Sequence, residues 1–118
     1  MGREKSTFEA FNLDPVPLYL TLTTAAPTYQ MKPGDHCICA VSSAADDAGI
    51  ITLPSKGEAA GKFYFIYAPT GAAGGDISLY DKETGAEITT YGDMDADDDH
   101  LLLFCDGRNW RMVLEGVA

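Results

Sequence analysis

The chain has 118 residues, 46 % hydrophobic and 22 % charged, which suits one globular domain with one core. A formal net charge of −10, from 18 acidic and 8 basic residues, argues against a nucleic-acid backbone as a direct partner. No apolar run approaches the roughly 18 residues that span a bilayer, so no membrane role is expected, and MGREKSTFEA at the start holds no apolar stretch of a secretory leader.

Residues 1–16 read as an extended N-terminal arm and residues 17–118 as a β-domain. Phe8 and Phe11 sit on an otherwise polar tether, and Asp14-Pro15-Val16-Pro17 stops any helix that begins there. Two phenylalanines on such a tether need a surface to land on, in this domain or on a neighbour.

From Pro17 onward the hydrophobic period is two rather than 3.6. Residues 18–23 alternate leucine with polar or amphipathic side chains, the mark of a strand with one buried face. Pro27, Pro33 and Gly34 make 25–35 a loop, and 36–41 is the next strand. After a polar turn at 44–49, a short strand at 50–53 is stopped by Pro54. Residues 61–67 form a strong strand, and 71–75 a glycine-rich turn. Strands at 77–80 and 87–90 flank a hairpin turn with Gly85 at a positive-φ position. The last two strands, 101–105 and 110–114, join around Asp106-Gly107, a hairpin signal. About eight short strands at regular spacing predict an all-β fold, a small antiparallel β-sandwich or open barrel.

Two strands are apolar on both faces. Phe63, Phe65 and Tyr67 fill one face of theirs while Tyr64 and Ile66 fill the other, and 101–105 reads Leu-Leu-Leu-Phe-Cys. A two-layer domain of this size has one core, so a second apolar face calls for another cover: the arm, a loop or another subunit. The final strand looks half-exposed, with Trp110, Met112 and Leu114 sharing one face. Tyr64, Ile66, Leu102 and Phe104 are the expected self-association residues.

Sites for chemistry are sparse. The acidic segment 93–99 starts like a calcium loop, but Asp98 stands where glycine is required and Phe104 where the bidentate glutamate should be. A solvated acidic turn is the expectation. The glycines of 71–75 precede a strand, whereas a phosphate cradle needs a helix N-terminus. His36 beside Cys37 and His100 beside Asp99 cannot act as pairs, because neighbours along a strand point to opposite faces. Cys37, Cys39 and Cys105 are an odd set, expected to be reduced and buried, and the C-x-C spacing is not that of a zinc site. No enzyme, metal or cofactor is expected.

Residues 46–115 carry a recognisable succession. Asp46-Asp47-Ala48-Gly49-Ile50-Ile51-Thr52-Leu53-Pro54 is followed by Gly61-Lys62-Phe63-Tyr64-Phe65-Ile66 and closes on Asp106-Gly107-Arg108-Asn109-Trp110. This pattern resembles the small β-domains of tailed-bacteriophage structural proteins, both capsid decoration (cement) proteins and fibre head domains. The resemblance implies a homotrimer on the outer surface of a virion, whose partner is the major capsid protein. It also implies an N-terminal arm that reaches across neighbouring capsomers. On that expectation Phe8, Phe11, Tyr29, Gln30 and Met31 contact the capsid. A fibre-tip alternative would bind a receptor or glycan through Tyr29, Tyr80 and Tyr91, with the acidic turn holding calcium.

Overall fold

A computed structural model describes residues 17–44, 48–69, 76–88, 94–96 and 98–116, so the arm at 1–16, with Phe8 and Phe11, lies outside the described residues. Eight strands form two sheets: β1 (Leu18–Leu22), β2 (Thr28–Gln30), β3 (Cys37–Ser42), β4 (Gly49–Thr52), β5 (Lys62–Ala68), β6 (Ile77–Tyr80), β7 (Asp99–Cys105) and β8 (Trp110–Gly116). The all-β expectation holds, and the sheets do not close into a barrel. Among the described residues one helical turn, α1 (Lys56–Ala59), is capped by Ser55, whose Oγ accepts from Glu58 N and donates to Glu58 Oε1 at 2.8 Å.

Strand direction differs from the antiparallel expectation. The five-stranded sheet runs β1-β3-β5-β7-β8 and the three-stranded sheet β2-β4-β6, so consecutive strands alternate between sheets up to β6. Each of these pairs in parallel with the strand two places along the chain, Leu18 with Ile38 and Ile38 with Ile66, Thr28 with Ile50 and Ile50 with Ser78. The chain therefore winds as a short two-sheet coil. The physical reason lies in the connections. Segments such as 23–27 and 31–36 carry the chain across to the other sheet instead of doubling it back beside the strand just left. Among the pairs of described strands, only β5–β7 and β7–β8 are antiparallel.

Residues 28–30, read from sequence as part of a loop, are β2, too short to show a period. The two expected hairpin turns are present. Gly85 has φ 68° and a bridge joins Tyr80 to Glu87, while Gly107 has φ 93° between paired Cys105 and Trp110. Asp106 fixes the second turn: its Oδ1 accepts from Arg108 N at 2.8 Å and Asn109 N at 2.7 Å, and its Oδ2 from Arg111 Nε at 3.0 Å. Those donors pull its carboxyl down to about 2.

The core lies between the sheets. Leu22, Ile38, Ile66, Leu101 and Leu103 from the larger sheet meet Met31, Ile51, Leu53, Ile77 and Leu79 from the smaller one and its flanks. At its base, Trp110 packs edge-on to Tyr64, with centroids 5.6 Å apart, and the Tyr64 hydroxyl donates to Pro33 O at 2.7 Å. One core is thus complete within one chain.

Candidate functional site: the outer face of the five-stranded sheet

Alternation along β5 decides which residues remain outside. Tyr64 and Ile66 are both 0 % exposed and point into the core, so they are not available to another subunit. That corrects the expectation for these two residues. The sequence could not separate the faces, because both are apolar. The outer face of β5 is Phe63, Phe65 and Tyr67, all half-buried. Opposite them on β7 stand Phe104, Leu102 and His100, so Leu102 and Phe104 do lie on the outer side.

Neighbouring strands extend this surface. Cys37 and Cys39 of β3 pair with Phe65 and Tyr67, and Tyr19 of β1 pairs with Cys39. Rings touch along it: Phe63 with Phe104 at 4.8 Å, Phe65 with Tyr67 at 5.4 Å, and Phe65 with His100 at 6.1 Å. Cys39 is buried and Cys37 half-buried. No described strand lies over this face, since all eight belong to the two sheets.

The far strand adds a feature that the sequence reading missed. A register shift in β7–β8 pairs Leu103 with Met112 but Leu102 with Leu114, leaving Val113 as the extra residue of a bulge. Regular alternation would keep Leu114 with Trp110 and Met112 on the core side. The bulge turns it outward instead, and Val113 and Leu114 are each 52 % exposed. Beside them the His100 ring lies against Gly116, where a Cβ would collide with it.

The residues expected to touch a capsid from 29–31 serve this fold instead. Met31 is buried in the core. The Tyr29 hydroxyl donates to Asp35 Oδ2 at 2.6 Å, and Gln30 Nε2 reaches Met31 O, Leu53 O and Thr52 O at 2.9, 3.2 and 3.3 Å. The segment looked like an exposed loop because two prolines bracket it, yet it is an edge strand locked to β4 and its neighbours. Of the alternative aromatics, Tyr80 is half-buried and Tyr91 lies outside the described residues.

Charge is divided between the two ends of the coil. Every described Lys and Arg, namely Lys32, Lys56, Lys62, Lys82, Arg108 and Arg111, lies at the end where even strands finish and β8 begins. Several are paired there: Lys56 Nζ to Asp81 Oδ2 at 2.7 Å, Lys82 to Glu58 at 3.7 Å, and Arg111 to Asp106. The opposite end holds Asp76, Asp95, Asp98, Asp99 and Glu115 with no described Lys or Arg. Of these, Asp99 is buried, and its Oδ2 accepts from Asp95 N at 3.0 Å and Ala96 N at 2.9 Å, closing the acidic turn. Among the described residues no group of three or more His, Cys, Asp or Glu side chains could share a metal ion.

Burial shows in the tyrosines. Tyr64 is pushed up to about 12 by burial, and Tyr29 to about 12 by burial and then by its bond to the Asp35 carboxylate. Tyr67 is raised by its bond to Cys39 and by burial. A tyrosine whose folded value exceeds its unfolded one contributes stability that is complete below the ordinary value near 10 and lost as pH climbs towards 12. For Tyr64 alone the loss approaches about 2–3 kcal/mol. An alkaline titration followed by tyrosinate absorbance is expected to show a late group of tyrosines that ionises together with unfolding. Simple titration of all six near 10 would contradict the burial described.

Neither a protein-family model, nor a curated protein, nor a solved structure matches the chain.

Proposed function

We propose that this chain is a virion structural protein, a capsid decoration protein that forms homotrimers and binds across adjacent major capsid subunits from outside. The observation that carries the reading is the outer face of the five-stranded sheet. A domain with a complete core presents a second apolar surface of aromatic and leucine side chains, including Phe65, Tyr67, Leu102 and Phe104. The resemblance of residues 46–115 to phage decoration and fibre domains supplies the setting, and the arm of residues 1–16 supplies a tether with two phenylalanines. The work of such a protein is to add buried area at the seams between capsomers, which opposes the pressure of a packaged genome. The internal bonds of Tyr29 and Gln30 leave capsid contact to Phe8 and Phe11 and favour decoration over a fibre tip that binds through Tyr29.

Co-sedimentation with purified capsids tests this. The full chain is expected to bind in a copy number that is a multiple of three, and deletion of residues 1–14 to abolish binding while leaving the β-domain folded. Binding that survives the deletion rules out the arm as the clamp. A handful of copies per particle would favour a fibre position.

A further inference from the structure

The outer face of the five-stranded sheet begins where the arm joins the domain. Residues 1–16 lead into β1, which starts at Leu18 and is an outermost strand of that sheet. Pro15 and Pro17 have no N–H to offer β3, so the sequence before Leu18 is not suited to extend β1 as a strand. On the same face β5 and β7 lie two and three strand spacings from β1, about 10 and 14 Å.

We infer that in the unassembled chain the arm folds back across its own outer face, with Phe8 and Phe11 on β5 and β7 and Arg3 and Lys5 at the acidic end. The cover is a segment of this chain rather than a second copy. The docking stands without any capsid; that the arm later leaves this face for one rests on the decoration reading.

Reach, spacing and charge all favour this occupant. Phe11 is seven residues before Leu18, a span of up to about 23 Å when extended. That exceeds the distance to β7 and leaves length for a turn. Phe8 and Phe11 are three apart, so one helical turn puts both rings on one side, about 4.5 Å apart along its axis. Paired strands stand about 4.8 Å apart. The two rings therefore match the step from Phe65 on β5 to its register partner Leu102 on β7, both half-buried on the outer side.

Charge orients the arm. Of the 8 Lys and Arg, six stand at the end where β8 begins, and the other two are Arg3 and Lys5, with Glu4 between them. Lys5 is three residues beyond Phe8, and Asp99 is three residues along β7 from Leu102. The same step of about 10 Å thus carries Lys5 from the aromatic face to the acidic turn, where Asp98 is exposed and no described Lys or Arg competes. A tether this short holds the rings at an effective concentration on the order of millimolar, so at micromolar protein the arm prevails over a second copy. Once a capsid takes the arm, Phe65 and Leu102 are uncovered for a neighbouring subunit.

The test places a photoreactive ring in the full chain, Phe8→p-benzoylphenylalanine, at a position outside the β-domain. Irradiation is expected to give cross-links within one chain to Lys62–Ala68 or Asp99–Cys105, read by peptide mass spectrometry, with a yield unchanged over about a hundredfold dilution. Adding Arg3→Glu and Lys5→Glu is expected to cut that yield at least about threefold at low salt. No cross-link, cross-links only between chains, or cross-links to other parts of the domain overturn the docking. A yield indifferent to the two charge reversals overturns the seat at the acidic end. With purified capsids, the bound fraction is expected to lose the internal cross-link, and a bound chain that keeps it overturns the exchange. A chain that cross-links internally but binds no capsid overturns the decoration reading and leaves the docked arm standing.

Discussion

Tyr64→Ala is expected to lower the stability of the chain by about 3–5 kcal/mol, the range for removing a large side chain from a packed core. The substitution removes a ring that is fully buried, that meets Trp110 edge-on and that stacks on His36 at 5.0 Å. It also leaves Pro33 O without the hydroxyl that now donates to it at 2.7 Å. Since Pro33 lies between β2 and β3, both sheets feel the loss. Urea unfolding followed by Trp110 fluorescence measures it, and a change below about 1 kcal/mol would show that this region repacks without cost.

Leu102→Lys is expected to do the opposite. Its neighbour Leu103 is buried in the core, but Leu102 faces outward between Phe65 and Leu114. A lysine there can keep its stem on the apolar surface and its ammonium in water, so the folded chain should melt within a few degrees of wild type. Any subunit that covers this face would have to bury that ammonium without a partner, which raises the dissociation constant about a hundredfold or more. Analytical ultracentrifugation across a concentration series reads the change. Unaltered self-association would remove the outer face of β7 from the interface.

These two residues also show what was legible in the sequence. Strand positions could be read from the alternation of leucine and polar residues at 18–23, from Pro54 and from Asp106-Gly107, because a strand with one wet face and a tight turn are local events. Strand direction is not local. It depends on whether a connection returns beside its own strand or crosses to the other sheet, and connections such as 31–36 carry no mark of that choice. The inner face of β5 was equally hidden. Phe63-Tyr64-Phe65-Ile66-Tyr67 alternates between two apolar sets, and contacts from distant Pro33 and Trp110 select Tyr64 for the inside. The outward turn of Leu114 left no signal, because the apolar pattern of 110–114 runs on unbroken through the bulge. The existence of a surplus apolar face was readable; its membership was not.

The winding of β1 to β6 has a consequence for how such a chain could change over generations. In a coil each turn touches only the turns beside it, so length is a free parameter in a way that it is not for a Greek-key sandwich. Duplicating one whole turn, an odd strand with its even successor, would add one strand to each sheet and leave the closing hairpin of β7 and β8 undisturbed. The outermost strands of the larger sheet, β1 and β8, would move apart by one strand spacing. A single duplication event would thereby widen the outer apolar face by one strand and leave the packing of the existing turns in place.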